Sequence, residues 1–137
     1  MVYKASDLTI RIGRRPGNVL LTISDMESIS ISVDNTVAQW TPLDMAGWSR
    51  RLNTGRSVTI SLSGKRNMAN AGNNLVATMG YESNVSACLG TIEVAFPGGS
   101  VLRMSCIVNV TACGGGAAED LGVLEFECLS DGQVTYS

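Results

Sequence analysis

Two segments of this chain alternate apolar residues with hydroxyl-bearing ones almost without interruption. Residues 27–33 read Glu-Ser-Ile-Ser-Ile-Ser-Val, and residues 57–63 read Ser-Val-Thr-Ile-Ser-Leu-Ser. Because successive side chains of a strand point to opposite faces, this period of two predicts half-buried strands. The opposite face is small, polar and nearly uncharged, unlike the Lys- and Glu-rich face of an ordinary solvated sheet. The apolar side chains expected to face a core are Ile29, Ile31, Val33, Val58, Ile60 and Leu62.

The same reasoning predicts six or seven strands and one helix. The helix is expected over 69–82 with Asn73 or Asn74 as its N-cap, and Pro97-Gly98-Gly99 predicts a hairpin turn. Many short strands with a single helix favour an all-β fold, an antiparallel β-sandwich or barrel with one flanking α-helix. The expected strands are 18–24, 27–35, 56–64, 87–96, 100–113, 121–130 and 133–136.

Two segments stand apart from this pattern within a chain of 137 residues, the size of one domain. Gly13, Pro16 and Gly17 punctuate the basic segment 1–17, which we interpret as an N-terminal arm whose removal leaves a folded subunit. Residues 36–55 show no clear period, and a connection of that length inside a compact domain is usually functional. We therefore interpret 36–55 as a long functional loop.

Charge is segregated along the chain. The arm and the segment 40–66 are basic, whereas 67–137 carries Arg103 against seven acidic residues. A molecule with basic extensions and an acidic body attracts copies of itself head to tail, and such contacts generate rings or filaments. The charge pattern is therefore compatible with self-assembly, although independently solvated charges explain it somewhat better.

The residue inventory offers little for catalysis or metal binding. The chain has no histidine, which removes Ser-His-Asp and Cys-His arrangements and imidazole ligands. Glu125 and Glu127 share a strand face as a candidate acid–base pair, and Glu119-Asp120 is a candidate cation site, but solvated charges explain both pairs better. We therefore expect no enzyme activity, no cofactor and no metal.

The four cysteines do not form a CxxC pair. Cys88, Cys106 and Cys128 fall at the same strand parity as apolar neighbours, which is typical of small buried thiols. A disulfide remains an alternative, although a cytosolic protein rarely holds one. The cytosolic expectation follows from residues 1–17, which lack the apolar region of a signal peptide.

One series of residues resembles the major tail tube proteins of long-tailed bacteriophages. It begins with Trp40-Thr-Pro-Leu-Asp-Met-Ala-Gly-Trp48, continues through the alternating strand 57–63 into Gly64-Lys-Arg-Asn67, and includes Phe96-Pro97 and Asn109-Val-Thr111. The resemblance covers about residues 18–136. It implies a β-sandwich with one flanking helix, hexameric rings that stack on a tape-measure protein, and a tube that delivers double-stranded DNA into the host.

The resemblance also implies how the chain is organised and where it works. A single tail-tube domain over 1–137 would carry three parts that reach neighbouring rings: the arm 1–17, the loop 36–55 and a C-terminal extension over 130–137. The implied partners are further copies of the chain, tape-measure, tail terminator and baseplate proteins, and passing DNA, without membrane binding by the subunit. The implied location is the virion tail, assembled in the host cytoplasm.

The polar strand faces then have a mechanical role, because a lining of hydroxyls and carboxylates gives phosphate nothing to bind. We expect the following residues to face the channel: Ser28, Ser30, Ser32, Thr59, Ser61, Glu125 and Glu127. We expect these residues to make inter-subunit contacts: Arg11, Arg14, Arg15, Trp40, Trp48, Arg50 and Arg51. The alternatives are a tube subunit of a contractile injection or secretion particle and, in another class, a monomeric β-sandwich that binds a ligand.

Overall fold

The computed structural model describes residues 1–17, 19–82 and 84–137. Its strands are β1 (Thr9–Arg14), β2 (Leu21–Thr22), β3 (Met26–Trp40), β4 (Arg50–Lys65), β5 (Leu89–Ala95), β6 (Val101–Cys113), β7 (Val123–Ser130) and β8 (Thr135–Tyr136). The helix α1 spans Ala71–Tyr81, and short 3-10 turns cover Ala5–Asp7, Leu43–Met45 and Val85–Cys88. The prediction of a mainly antiparallel β fold with one flanking helix is confirmed.

All eight strands belong to one antiparallel sheet, which curls back on itself. The order is β2-β1-β5-β6-β7-β4-β3, with β8 beside β6. Laid flat, β2 and β3 would lie about 29 Å apart, six strand spacings. Only residues 23–25 connect them, and such a connection spans at most about 14 Å. The two edges of the sheet must therefore come together at this connection, where Lys65 N of β4 donates to Asp25 O at 2.8 Å and continues the β3–β4 ladder.

The core lies inside this curl and is covered by α1. Ile60 and Phe126 from the sheet pack in one cluster with Val76 and Met79 from the helix. In the register, Ile31 is opposite Ile60, and Ile60 is opposite Cys128, so one face of β3, β4 and β7 is apolar throughout the body. The core assignment of the alternating strands is confirmed for Ile60 and Leu62, while Ile29, Ile31 and Val58 pack at its margin.

The N-cap of the helix lies three residues before the first of the two expected caps. Asn70 is the N-cap, and its side chain accepts a hydrogen bond from Asn73 N at 2.8 Å. The expectation that Asn73 or Asn74 caps the helix is wrong, because Asn73 is buried inside the first turn and accepts from Arg66 Nη1 at 2.9 Å. The helix packs on the core through Val76, Ala77 and Met79.

The N-terminal segment is largely part of the sheet, not a free arm. Residues 9–14 form β1, which pairs with β5 over six residues, and Ile10 and Ile12 are buried. Thr9-Ile10-Arg11-Ile12 alternates with the period of a strand, a signal that the glycines and proline after it obscured. The interpretation of all of 1–17 as an arm is therefore wrong, since β1 belongs to the core.

The segment 36–55 is a long β-hairpin, not an irregular loop. β3 and β4 pair from Met26↔Gly64 to Trp40↔Arg50, with register shifts between Met26 and Ser28 and between Thr36 and Val37. Beyond the body both faces of the hairpin are exposed, so its sequence has no reason to alternate. The core assignment of Val33 is wrong for the same reason, because its side chain lies where the hairpin leaves the body and is 60% exposed.

The C-terminal residues fold back onto the sheet. Ser130 ends β7, and β8 pairs with β6 through Leu102↔Tyr136. The ring of Phe96 packs edge-on against Tyr3 and against Tyr136, with centroids 5.9 and 6.1 Å apart. Both termini are therefore docked on the body, and residues 130–137 do not extend away from it.

The remaining element predictions hold within a few residues, including the hairpin turn at 97–99, where Gly98 and Gly99 adopt positive φ angles of 94° and 98°. The expected strand 18–24 shrinks to Leu21–Thr22, and its first residue, Asn18, lies outside the described residues. In the described part of the chain, no helix is long and apolar enough to cross a membrane.

Candidate functional surfaces

One face of the sheet presents a continuous row of polar side chains across four neighbouring strands. Ser30 on β3 is opposite Ser61 on β4, Ser61 is opposite Glu127 on β7, and Glu127 is opposite Asn109 on β6. Directly opposite residues share a face of the sheet. Parity within each strand gave no relation between strands, and the register now shows that these polar faces coincide.

Two more rows flank the first on the same face. Ser28, Ser63 and Glu125 form one row, and the Ser28 and Ser63 hydroxyl oxygens lie 3.2 Å apart. Ser32 and Thr59 form the other and continue into Leu129, which is exposed. The structure therefore brings all seven expected channel residues onto one surface, named here the polar face (residues 28, 30, 32, 59, 61, 63, 109, 125 and 127).

The polar face holds a shallow depression of about 360 Å³, lined by residues of β3, β4, β7 and β6. Asn109 Nδ2 donates to Glu127 Oε1 at 3.4 Å, and Thr111 Oγ1 donates to the backbone oxygen of Glu125 at 3.2 Å. The sequence analysis missed Asn109. Asn109 follows the buried Val108 in β6, so its side chain points to the other face of the strand, and this alternation could have placed it here. The depression offers carboxylates and hydroxyls but no cationic side chain to hold an anion among its lining residues.

The middle of this face carries two negative charges, and at one end a positive charge is paired with a negative one. Glu125 and Glu127 stand on neighbouring same-face positions of β7, next to the hydroxyls of β4. Lys65 lies at the end of β4, where its Nζ is 3.2 Å from Glu27 Oε1. A polyanion passing over the polar face would meet repulsion from the two carboxylates and no free cation along the three rows.

The β-hairpin beyond the body brings together four of the expected inter-subunit residues. Trp40 is opposite Arg50, whose guanidinium carbon lies 5.9 Å from the indole centroid, a cation–π distance. Trp48 is 74% exposed near the end of the hairpin, and Arg51 is opposite Gln39 on β3. Residues 33–58 are named here the hairpin; its end presents aromatic rings and cations on the surface.

The three arginines of the N-terminal segment lie elsewhere. Arg11 Nη1 is 3.8 Å from Glu93 Oε1, and Arg15 Nη2 is 3.1 Å from Asp131 Oδ2. Arg14 makes two hydrogen bonds to Glu82, which lower the pKa of that carboxyl. Each arginine thus has an acidic partner within its own chain, and the structure does not bring the three together with the hairpin.

Within the residues that the structure describes, no group of three or more His, Cys, Asp or Glu side chains is arranged to hold a metal ion.

The four cysteines are free thiols. Cys106 and Cys128 are fully buried, and the hydrogen bond that the Cys128 thiol donates to Cys106, together with burial, raises the pKa of the Cys128 thiol well above its ordinary value. Such a thiol is unreactive, because the thiolate is the nucleophilic form. Cys88, expected on an apolar face, is half-buried in a 3-10 turn.

Solved structures with the same fold come from particle tails and injection machines. A chain from the tail of an empty gene transfer agent particle with C6 symmetry matches with a TM-score of 0.77 at 18% identity, over 99% of each chain. A chain from the virion of the native gene transfer agent particle matches with a TM-score of 0.74 at 17% identity, again over 99% of each. A chain from the PVC contractile injection system, a sheath–tube complex in the extended state, matches with a TM-score of 0.63 at 13% identity, over 98% of this chain and 90% of that one.

No protein-family model matches the chain, and no curated protein sequence matches it. The structural matches cover nearly the whole chain, so they define its fold class as that of phage-like tail tube proteins. The resemblance to bacteriophage tail tube proteins that the sequence indicated is confirmed at the level of the fold.

Proposed function

We propose that this chain is the structural subunit of a phage-like tail tube, in which six copies close into a ring, rings stack, and double-stranded DNA passes through the channel. The role is mechanical, not catalytic. The observation that carries the proposal is the polar face, whose central row, Ser30-Ser61-Glu127-Asn109, crosses four neighbouring strands, β3-β4-β7-β6. A sheet face without lysines on its central rows suits a wall along which a polyanion moves without binding.

Two unpaired strand edges bound this four-stranded surface. Among the described residues, no strand pairs with the outer edge of β3, and Val108–Cys113 of β6 pairs with β7 alone. An unpaired edge is a template for association with another chain. Lateral pairing of the two edges between copies would extend the polar face around a closed ring.

The dimensions suit the proposed cargo. Six copies with four strands each give a barrel of about 24 strands, which at a spacing of about 4.8 Å and a tilt near 40° has a backbone diameter of roughly 48 Å. Side chains reduce this to roughly 35–40 Å, which is wide enough for a DNA duplex. The C6 symmetry of the gene transfer agent tail with the same fold supports the number of copies.

In this proposal the hairpin makes the contacts that stack one ring on the next. Its strands carry exposed apolar residues beyond the body, and an isolated hairpin of this kind is marginally stable in water without a surface to pack on. We propose that it packs on the next ring, with the tape-measure, terminator and baseplate proteins as the further partners, in a virion tail assembled in the host cytoplasm. The likeness to the PVC chain supports a second candidate, the inner tube of a contractile injection particle.

Electron microscopy of the purified chain tests assembly directly. We expect rings and stacked tubes with six-fold symmetry and a central channel. Dispersed monomers at every protein and salt concentration would contradict the proposal. A surrounding sheath, recovered with the tube from the native source, would favour the injection particle over the phage-like tail.

The direction of the polar face is tested by labelling. In a background with Cys88 and Cys113 changed to serine, Ser61→Cys places a thiol on the polar face, and Ser86→Cys places a matched thiol on an exposed turn. A polyethylene-glycol maleimide too large for the channel should modify both variants as subunits, but only Ser86→Cys in assembled tubes. Equal modification of Ser61→Cys in tubes would place the polar face outside.

A further inference from the structure

A cleft of about 330 Å³ lies where the two edges of the curled sheet approach each other. Leu8 and Ile10 line it from the N-terminal side, and Ile23, Met26 and Ile29 line it from the β2–β3 connection and the start of β3. Leu8, Met26 and Ile29 are only half-buried, so the cleft exposes apolar surface that the chain itself does not cover.

Two carboxylates stand at the mouth of this cleft. Asp25 and Glu27 are both exposed and both line it, and Glu27 Oε1 also lies 3.2 Å from Lys65 Nζ of its own chain. Asp25 has a positive φ of 65°, a conformation that Asp tolerates better than most residues. Its backbone oxygen accepts from Lys65 N, and its carboxylate accepts from the Asn67 side chain. The Asp25 carboxylate is therefore held in place before any partner arrives.

The end of the hairpin has the complementary chemistry. Trp40 and Trp48 supply exposed aromatic surface, and Arg50 and Arg51 are exposed cations beside them. Aromatic residues and arginines are the side chains that most often anchor an interface. An apolar cleft with acidic residues at its mouth fits this combination, since the rings would be desolvated while each cation meets a carboxylate.

The positions of the two surfaces decide which copy can meet which. The cleft lies at the Met26 end of β3 and the hairpin ends at Trp40, so the 15 residues of β3 separate them by about 46 Å. A chain cannot place its own hairpin in its own cleft. Copies arranged head to tail along β3, however, bring the hairpin of one to the cleft of the next, a heterologous contact that repeats without closing.

We propose that this cleft is the receptor for the hairpin of the next copy in the stack, with Trp48 in the apolar floor, Arg51 facing Glu27, and Arg50, on the opposite face of its strand, reaching Asp25. The inference rests on the proposed tube function and names the surface that joins one ring to the next. The cleft uses only the first residues of β3, which leaves the rest of its outer edge for lateral pairing within a ring.

Charge reversal tests the contact with the full chain. Glu27→Arg and Arg51→Glu should each raise the protein concentration needed for tube growth by about tenfold, the cost of one lost ion pair, while single rings still form. The double variant should restore growth, because the pair is rebuilt with its signs exchanged. Glu119→Arg, an exposed carboxylate of the 114–122 loop, is the control and should leave growth unchanged.

Disulfide trapping gives an independent readout that does not depend on charge. In the background without Cys88 and Cys113, Ser6→Cys in the cleft and Ser49→Cys beside Trp48 should yield a ladder of covalently linked copies when tubes are mildly oxidised. Ser86→Cys, near the Arg14 end of β1 and away from the cleft, replaces Ser6→Cys in the control and should give no ladder.

The outcomes separate the two proposals. Tubes that assemble normally, yet give no ladder and ignore both charge reversals, would overturn the cleft as receptor and leave the tube function intact. Absence of rings and tubes from the unmodified chain would instead overturn the tube function. If the cysteine variants fail to assemble, the charge-reversal variants alone test the cleft. Failure of the double variant to restore tube growth would then count against the cleft as receptor.

Discussion

Arg14 and Glu82 form a two-pronged ion pair that joins the last residue of β1 to the C-cap of α1. Arg14 Nη2 donates to Glu82 Oε1 at 2.8 Å, and Nη1 donates to Oε2 at 3.1 Å. Charge-assisted pairs with this geometry are among the stronger hydrogen bonds in proteins. The pair fixes the end of the N-terminal strand against the helix that covers the core, so the N-terminal segment acts as part of the folded body.

This pair predicts an acid-dependent loss of stability. The hydrogen bonds from Arg14 lower the pKa of Glu82 from its ordinary value of 4.5, so the stabilisation is present above that value and disappears as the pH falls through the lower folded-state pKa. Glu82→Gln should unfold at a lower urea concentration than the unmodified chain at pH 7, by a modest margin, and the margin should vanish in acid. Glu119→Gln is the control, and an equal loss in both variants would contradict the role of the pair.

Truncation at the N-terminus should separate β1 from the residues before it. A chain without residues 1–7 keeps β1 and should fold, whereas a chain without 1–17 loses Ile10 and Ile12 from the core. Burial of two such side chains contributes about 3–6 kcal/mol, comparable to the whole stability of a small domain. Circular dichroism and thermal melting should show a cooperative transition for the first variant only. A cooperatively folded chain without 1–17 would mean that β1 is dispensable.

The sequence predicted the strands of the body because each of them buries one face. Ile60 and Leu62 alternate with hydroxyls on β4, and the core confirms both. The hairpin beyond Val33 escaped prediction because nothing buries either of its faces in one chain, and hydrophobic periodicity reports burial alone. β1 escaped for a different reason, since its alternating residues are few and the glycines that follow suggested a loop.

The polar face could be predicted only strand by strand. Parity placed Ser30 with Ser28 on β3 and Glu127 with Glu125 on β7, but the relation between the two strands depends on register. Register is set by long-range pairing and by bulges such as the one after Val110, which local sequence does not specify. The cleft between the sheet edges could not be predicted from the sequence for the same reason.

Gly64 should be the least replaceable glycine at the corner where the sheet edges meet. A Cβ there would overlap the Asp25 carbonyl oxygen and lie 2.5 Å from Met26 Cα, so backbone must move to admit it. Gly64→Ala should destabilise the chain by about 2–3 kcal/mol in urea unfolding. Gly55→Ala on the same strand is the control, because its Cβ would sit 3.6 Å from Thr36 in ordinary contact. Comparable losses in both variants would show that the corner is not tightly packed.

The cysteines should divide into two reactive and two protected thiols. Cys106 and Cys128 are fully buried in the core, whereas Cys88 and Cys113 are half-buried. N-ethylmaleimide should therefore add to at most two thiols of the native subunit and to all four after denaturation, as counted by mass spectrometry. A third adduct on the native subunit would show that the β6–β7 core opens on the timescale of labelling.

A matched pair of substitutions should separate the body of β3 and β4 from the hairpin. Ile60 is completely buried, and replacing it with alanine leaves a cavity that costs about 2–5 kcal/mol. Val33 lies on the same side of the two strands at the start of the hairpin, where truncation to alanine should change the stability of the isolated subunit by less than about 0.5 kcal/mol. Urea unfolding of dilute subunits measures both. If rings stack through the hairpin, Val33→Ala should weaken tube growth while Ile60→Ala, at a concentration where it remains folded, should not. A large loss of subunit stability in Val33→Ala would mean that the hairpin packs on its own body.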